Sequence, residues 1–186
     1  MQDIVPIEKK PLRDQIMTLV NKNEAISSDD GVRALKQCVS HIQNTIQVEQ
    51  IIVQSGLSYD ELITNDKLEL YFNLVRLSDT KKVGYIAKGW DDPGFRIGDV
   101  IILEDQEESE QFKDCITEIS RNCTSKGILM TVKEDGNGYI INLEGLIYTE
   151  GMNKDTFNKT LEALIECAEL ARALKCAMLG YPNELS

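Results

Sequence analysis

The segment at residues 133–151, KEDGNGYIINLEGLIYTEG, places a turn of Asp, Gly and Asn between two apolar runs. The residues from Asp135 to Gly138 accept positive φ at little cost, which is typical of a tight hairpin turn. An EF-hand calcium loop starting at Asp135 is excluded, because its sixth position is Ile140, where glycine is required. A phosphate loop is excluded as well, since these glycines lead into a strand and not into a helix. The segment therefore predicts a β-hairpin within an antiparallel sheet.

Three earlier segments predict further strands, which are KLELYFNLVRLSD, KKVGYIAKGW and FRIGDVIILE. Short polar links join them, so they form an antiparallel meander. The acidic run at residues 104–110 then predicts a solvated linker and the negatively charged start of a helix. A metal site is not expected there, because neither His nor Cys accompanies the carboxylates. The helix that follows carries Phe112, Ile116 and Ile119 on one face.

Helical periodicity marks both ends of the chain. The last helix extends from Asn153, its N-cap, to Met178. A short amphipathic helix at residues 11–22 precedes a second helix that begins near Ser28. The second helix places five apolar residues on one face, which are Val32, Leu35, Val39, Ile42 and Ile46. Residues 46–66 are rich in β-branched side chains, and their periodicity fits either a continuation of this helix or a strand.

Strands and helices are segregated along the chain, which predicts an α+β fold. We expect an antiparallel sheet, built as a three-strand meander plus a C-terminal hairpin, packed against helices. Residues 1–27 are predicted to form an N-terminal helical extension. Residues 28–186 are predicted to form a single α+β domain, a length that allows a sizeable core.

Composition narrows the classes of partner. The net charge of −11 argues against nucleic acids, which bind largely through phosphates neutralised by Lys and Arg, and against anionic membranes. No apolar run approaches the roughly 20 residues that span a bilayer. The five cysteines are odd in number and lack C-x-x-C spacing, which favours reduced thiols and a cytoplasmic location. A basic partner, or solubility alone, fits the charge better.

The sequence contains no residue pattern that indicates a particular reaction. His41 is the only histidine, so it builds neither a His-based metal site nor an oriented general base by itself. Cys115 and Cys123 lack a neighbouring histidine, as a nucleophile or a zinc site would require. We therefore expect no catalytic residue, no metal and no cofactor. Trp90, in the segment KGWDDPGF, fits either a core anchor or an interface contact.

The order of elements over residues 110–178 carries a family resemblance. A helix, EQFKDCITEISRNCT, is followed by the strands GILMTVKEDG and GYIINLEGLIYTEG and by the long helix NKDTFNKTLEALIECAELARALK. This order resembles the type III secretion chaperone-like fold, and more closely its bacterial YbjN-like branch. Asn122, the turn at Asp135 and Gly138, and EGMNKDTF at residues 150–157 occupy the corresponding places. The resemblance implies a small, acidic, cytoplasmic protein, often dimeric, that binds another protein and catalyses nothing.

Together these observations predict a non-enzymatic protein-binding module, chaperone-like or regulatory. It would act through an apolar sheet or helix surface with an acidic rim that selects a basic partner. A homodimer is among the expected states. The predicted partner contacts are Leu12, Ile16, Leu19, Trp90 and Phe95. The alternative is a small enzyme or ligand-sensing domain that uses the carboxylates of Asp91, Asp92, Asp99 and Glu144.

Overall fold

A computed structural model describes residues 28–61, 70–89, 92–103, 110–136 and 138–179. The elements in chain order are α1 (Ser28–Gln54), β1 (Leu57–Glu61), β2 (Leu70–Arg76), β3 (Lys82–Lys88), β4 (Gly94–Leu103), α2 (Glu110–Ser125), β5 (Leu129–Asp135), β6 (Gly138–Tyr148), a 3-10 turn (Thr149–Gly151) and α3 (Lys154–Leu179). The strands form an antiparallel sheet in the order β1-β2-β3-β4-β6-β5. The predicted α+β class is confirmed.

The chain divides into two compact units, Met1–Gln47 and Val48–Ser186, and the boundary lies inside α1. It falls later in the chain than the predicted boundary at residue 27. In the first unit, the structure describes the helical residues 28–47. Val39 is 45% exposed and Ile46 is also exposed, although both belong to the predicted apolar stripe. Periodicity predicted the helix correctly, but it carries no information about whether a surface covers that helix.

The region left open at residues 46–66 contains both a helix end and a strand. Helix α1 continues to Gln54 and stops at Gly56, whose φ of 73° is the left-handed conformation common just past a helix end. The Gly56 N–H donates to the Val53 carbonyl at 3.1 Å. Strand β1 follows and pairs with β2. The predicted three-strand meander is therefore corrected to four strands, β1 to β4.

The C-terminal half follows the predicted order. Strands β5 and β6 form the expected hairpin, in which Asp135 pairs with Gly138 and Gly136 has a φ of 60°. Asn153 caps α3, because its Oδ1 accepts a hydrogen bond from the Thr156 N–H at 3.0 Å. The hairpin and the capped helix are confirmed.

The core of the second unit lies on one face of the sheet, which we call the helix-covered face. Its side chains alternate along each strand and include the fully buried residues Phe72, Leu74, Ile86, Ile97, Ile141 and Leu143. Helix α3 packs on this face through Phe157, Leu161 and Leu164, and α2 packs beside it. The helix approaches closely at Gly145, where an added Cβ would lie 2.5 Å from Thr160 Cγ2.

Candidate binding face

The opposite side of the sheet, which we call the open face, holds most of the exposed apolar side chains of the described strands. The alternation that buries Ile97, Ile141 and Leu143 turns their neighbours outward. The large exposed residues on this face are Val100 and Ile102 of β4, Leu129 of β5, and Leu146 and Tyr148 of β6. Leu146 is 49% exposed. Three adjacent strands therefore present an apolar surface that solvent contacts.

Strand register aligns one row of residues across the open face. Each member pairs with the next on the neighbouring strand, so that all six strands contribute one residue. In spatial order the row is Asp60, Asn73, Tyr85, Gly98, Glu144 and Leu129. The row places a tyrosine and a carboxylate on either side of a glycine.

Gly98 makes the space through which Tyr85 reaches Glu144. A Cβ at Gly98 would lie 2.5 Å from Cζ and Oη of Tyr85, so only glycine lets the ring cross the strand here. The Tyr85 hydroxyl donates to Oε1 of Glu144 at 2.7 Å. Both side chains are half-buried. The hydrogen bond therefore joins β3 to β6 across the intervening strand β4.

Tyr71 extends this aromatic surface. Its ring stacks on that of Tyr85, with centroids 5.3 Å apart and an angle of 16° between the planes. Burial raises the pKa of Tyr85 well above its usual range, and the hydrogen bond to the Glu144 carboxylate raises it further. Burial, followed by the charge of Asp99, also raises the pKa of Tyr71. Both phenols therefore stay protonated at neutral pH.

The polar side chains in and beside the row differ in which of their atoms have a hydrogen-bond or ion-pair partner. Arg96 forms an ion pair with Asp92, with Nη2 and Oδ2 3.1 Å apart, while its buried Nε has no hydrogen-bond partner. The buried Oδ1 of Asn73 has none either. Glu144 accepts the Tyr85 hydroxyl, but no cation of the described residues lies within ion-pair distance of it. The open face thus keeps a carboxylate whose charge is not neutralised by the described part of the chain.

The described carboxylates of the alternative enzyme hypothesis do not converge. Asp99 points to the helix-covered face, where it is 6% exposed and pairs with Arg172 of α3. Its Oδ1 also accepts from the Val100 N–H at 2.9 Å. Asp92 is held by Arg96, and Glu144 lies on the opposite side of the sheet from Asp99. Asp91 lies outside the described residues.

The predicted partner contacts have different outcomes. Leu12, Ile16, Leu19 and Trp90 lie outside the described residues, so they stay predictions. Phe95 is 0% exposed and belongs to the helix-covered face, so the expected partner contact is corrected to a core position. The physical reason is alternation along β4, which turns residue 95 inward together with Ile97.

The described residues hold no group of three His, Cys, Asp or Glu side chains that is arranged for a metal ion. Cys123 and Cys167 are buried, and burial together with a hydrogen bond between the two thiols raises the pKa of Cys123 to about 12. Cys115 is a free, partly exposed thiol. Within the described part of the chain, no helix is both long enough and apolar enough to cross a membrane.

Sequence reasoning missed the residues of the open face. A signal was present in DVIIL and GLIY, where apolar residues follow one another instead of alternating with polar ones. Such runs give a strand an apolar side chain on both faces, and a sheet with helices on one side leaves the other set exposed. The contact between Tyr85 and Glu144 had no signal, because the two residues are 59 positions apart in sequence.

The comparison with known proteins shows a similarity in fold alone. No protein-family model matches the chain, and no curated protein matches it. Among solved structures, the chain is similar to an uncharacterized protein from Methanothermobacter thermautotrophicus, with 9% sequence identity and a TM-score of 0.53. The match covers 73% of this chain and 98% of that protein. The YbjN-like resemblance stays a prediction, and the chain shares an α+β fold with a protein that is itself uncharacterized.

Proposed function

We propose that this protein is a non-enzymatic protein-binding module, chaperone-like or regulatory, that holds a partner protein on the open face of its sheet. The observation that carries the proposal is the gathering of Val100, Ile102, Leu129, Leu146 and Tyr148 on three adjacent strands. Single exposed apolar residues are ordinary on a protein surface, whereas a contiguous apolar patch marks an interaction site.

The chemistry of the face supports the same proposal. Tyrosine and arginine are enriched in the energetically dominant centres of protein interfaces. Tyr71, Tyr85 and Arg96 lie on the same face of the sheet as the apolar residues, and each has a ring contact, a hydrogen bond or an ion pair that holds it in place. A surface built on paired strands loses little conformational freedom when a partner binds, which favours affinity.

Charge and the family resemblance support a protein partner of basic character. The net charge of −11 attracts cations and repels nucleic acids and anionic membranes. The YbjN-like resemblance implies a protein that binds another protein. A second copy of the chain is a weaker candidate for the partner, since two such acidic chains repel each other.

Site-directed photocrosslinking tests this proposal. The photoreactive residue p-benzoylphenylalanine replaces Leu146 on the open face or, as a control, the exposed Glu162 on α3. We expect irradiation of cells that express each variant to give one discrete crosslinked product from position 146 and none from position 162. Mass spectrometry of that product identifies the partner and distinguishes a different protein from a second copy. Indistinguishable crosslinking from the two positions would contradict the proposal.

A further inference from the structure

Glu144 is a half-buried acid on the open face with apolar neighbours. Its neighbours in the sheet include Leu129 on β5 and Gly98 on β4, and Val100 and Leu146 lie close by on the same face. An ionised carboxylate that loses water needs hydrogen bonds and an opposite charge. The described residues supply one hydrogen bond, from the neutral Tyr85 hydroxyl, and no cation.

Arg96, a cation on the same face, already has an acidic partner. Arg96 lies on the same strand as Gly98 and two residues before it, but its guanidinium pairs with Asp92 at 3.1 Å. The acid on the helix-covered face differs in this respect, because Asp99 pairs with Arg172. Glu144 is thus a half-buried acid on an apolar surface whose described partners leave its charge unpaired.

We propose that Tyr71, Tyr85 and Glu144 form a receptor for an arginine side chain, which the partner protein presents next to apolar residues. This inference rests on the proposed function and adds the chemical identity of the group that is recognised. Oε1 of Glu144 is fixed by the Tyr85 hydroxyl, and Oε2 has no partner among the described residues. A guanidinium therefore meets an oriented carboxylate with free acceptor sites.

The stacked tyrosines favour arginine over lysine. A guanidinium is planar and stacks on aromatic rings, while it also donates two parallel hydrogen bonds to a carboxylate. An ammonium is a compact, strongly hydrated charge that does neither as well. The flanking Val100 and Leu146 remain exposed and fit apolar side chains adjacent to that arginine. The expected partner segment combines an arginine with aliphatic neighbours.

Short peptides test the receptor on the full-length chain. The probes are acetyl-Leu-Arg-Leu-amide and the same peptide with either citrulline or lysine in place of arginine. Citrulline keeps the shape of arginine without its charge. Titrations followed by backbone amide NMR should shift Tyr85, Gly98 and Glu144 saturably. We expect the arginine peptide to bind at least about tenfold more tightly than the citrulline peptide, with the lysine peptide between them. Equal affinities, or no saturable shift at these residues with about 10 mM peptide, would overturn the inference.

Two matched variants assign the effect to the carboxylate. Glu144→Gln removes the charge and retains an oxygen that can accept from Tyr85, so its arginine affinity should fall to that of the citrulline peptide. Glu162→Gln makes the same change of charge at an exposed site on α3 and should bind like the parent chain. If the Glu144→Gln spectrum shows unfolding, Tyr71→Leu replaces it and should weaken arginine binding several-fold. An unchanged preference for the arginine peptide over the citrulline peptide, in whichever of Glu144→Gln and Tyr71→Leu is used, would refute the receptor.

The outcomes also separate this inference from the proposed function. Specific crosslinking at position 146 without any preference for arginine would leave the binding module in place and remove the arginine receptor. Equal crosslinking at positions 146 and 162 would remove the binding module itself, whatever the peptides show.

Discussion

The two faces of the sheet are built from the same strands, and both carry branched aliphatic and aromatic side chains. They differ in the partners of their acidic residues. On the helix-covered face, Asp99 pairs with Arg172, and the surrounding Ile97 and Ile101 are buried. On the open face, Glu144 has a phenol for a partner, and Val100 and Leu146 remain exposed. Apolar composition alone therefore does not separate the packing face from the proposed binding face, and the two faces differ in the partner of their acid.

The largest expected difference between the faces comes from truncation of a leucine on each. Leu164→Ala removes a fully buried side chain that α3 places near Gly84, so it should lower the free energy of unfolding by about 3 kcal/mol. Leu146→Ala removes a half-exposed side chain and should change stability by about 0.5 kcal/mol or less. Urea denaturation followed by circular dichroism measures both values. Similar losses for the two variants would mean that the open face is itself part of a packed core.

The ion pair between Asp99 and Arg172 on the helix-covered face should give the second-largest effect on stability. Arg172→Ala leaves the nearly buried Asp99 without its cation and should cost about 2 kcal/mol, less than a fully buried pair because the arginine side chain is 41% exposed. The double variant Asp99→Leu with Arg172→Leu removes both charges and should recover most of that loss. Urea denaturation followed by circular dichroism measures the stability of the single and the double variant. A single variant as stable as the parent chain would show that the pair is screened like a surface ion pair.

A methyl group at residue 98 would act mainly on the open face. Gly98→Ala would place a Cβ 2.5 Å from the Tyr85 ring and 2.8 Å from the Leu143 carbonyl oxygen, so the ring must leave Glu144. We expect a loss of stability of about 1–2 kcal/mol. NMR should show the Tyr85 ring signals shifting while those of Phe72, on the helix-covered face, stay in place. Unchanged Tyr85 signals would indicate that the ring does not lie across residue 98.

The smallest effect concerns the hydrogen bond between Tyr85 and Glu144 and depends on pH. Tyr85→Phe should destabilise the protein by about 1 kcal/mol at neutral pH, since one hydrogen bond is lost. The folded state raises the pKa of Tyr85 above its usual value of 10.0, so this stabilisation is fully present below about pH 10. It declines as the pH rises through the folded-state pKa, and the difference between the two proteins should shrink in strong alkali.

Denaturation at a series of pH values, with tyrosinate absorbance recorded on each folded protein, tests this prediction. The parent chain should show one tyrosine more that resists ionisation than the Tyr85→Phe variant does. A difference in stability that grows with pH would contradict the assigned protonation state.

Local patterns accounted for much of the fold and for little of the candidate site. The hairpin at Asp135 and the cap at Asn153 were predictable because each depends on residues close in sequence. Strand β1 was left open between helix and strand, because its sequence, LSYDE, is short and follows a segment rich in β-branched residues. Phe95 was predicted to be a partner contact, but the direction in which β4 turns its side chains buries it.

Residue type and short-range periodicity were enough to establish the α+β class, the positions of most helices and strands, and an acidic surface. Which alternating set of side chains is covered on each strand became visible only in the folded chain, since it depends on the side of the sheet on which α2 and α3 pack. The tertiary structure also decided that Tyr85 crosses Gly98 to bind Glu144, while Arg172 binds Asp99. Such contacts join residues from distant parts of the chain, and periodicity within any one segment contains no information about them.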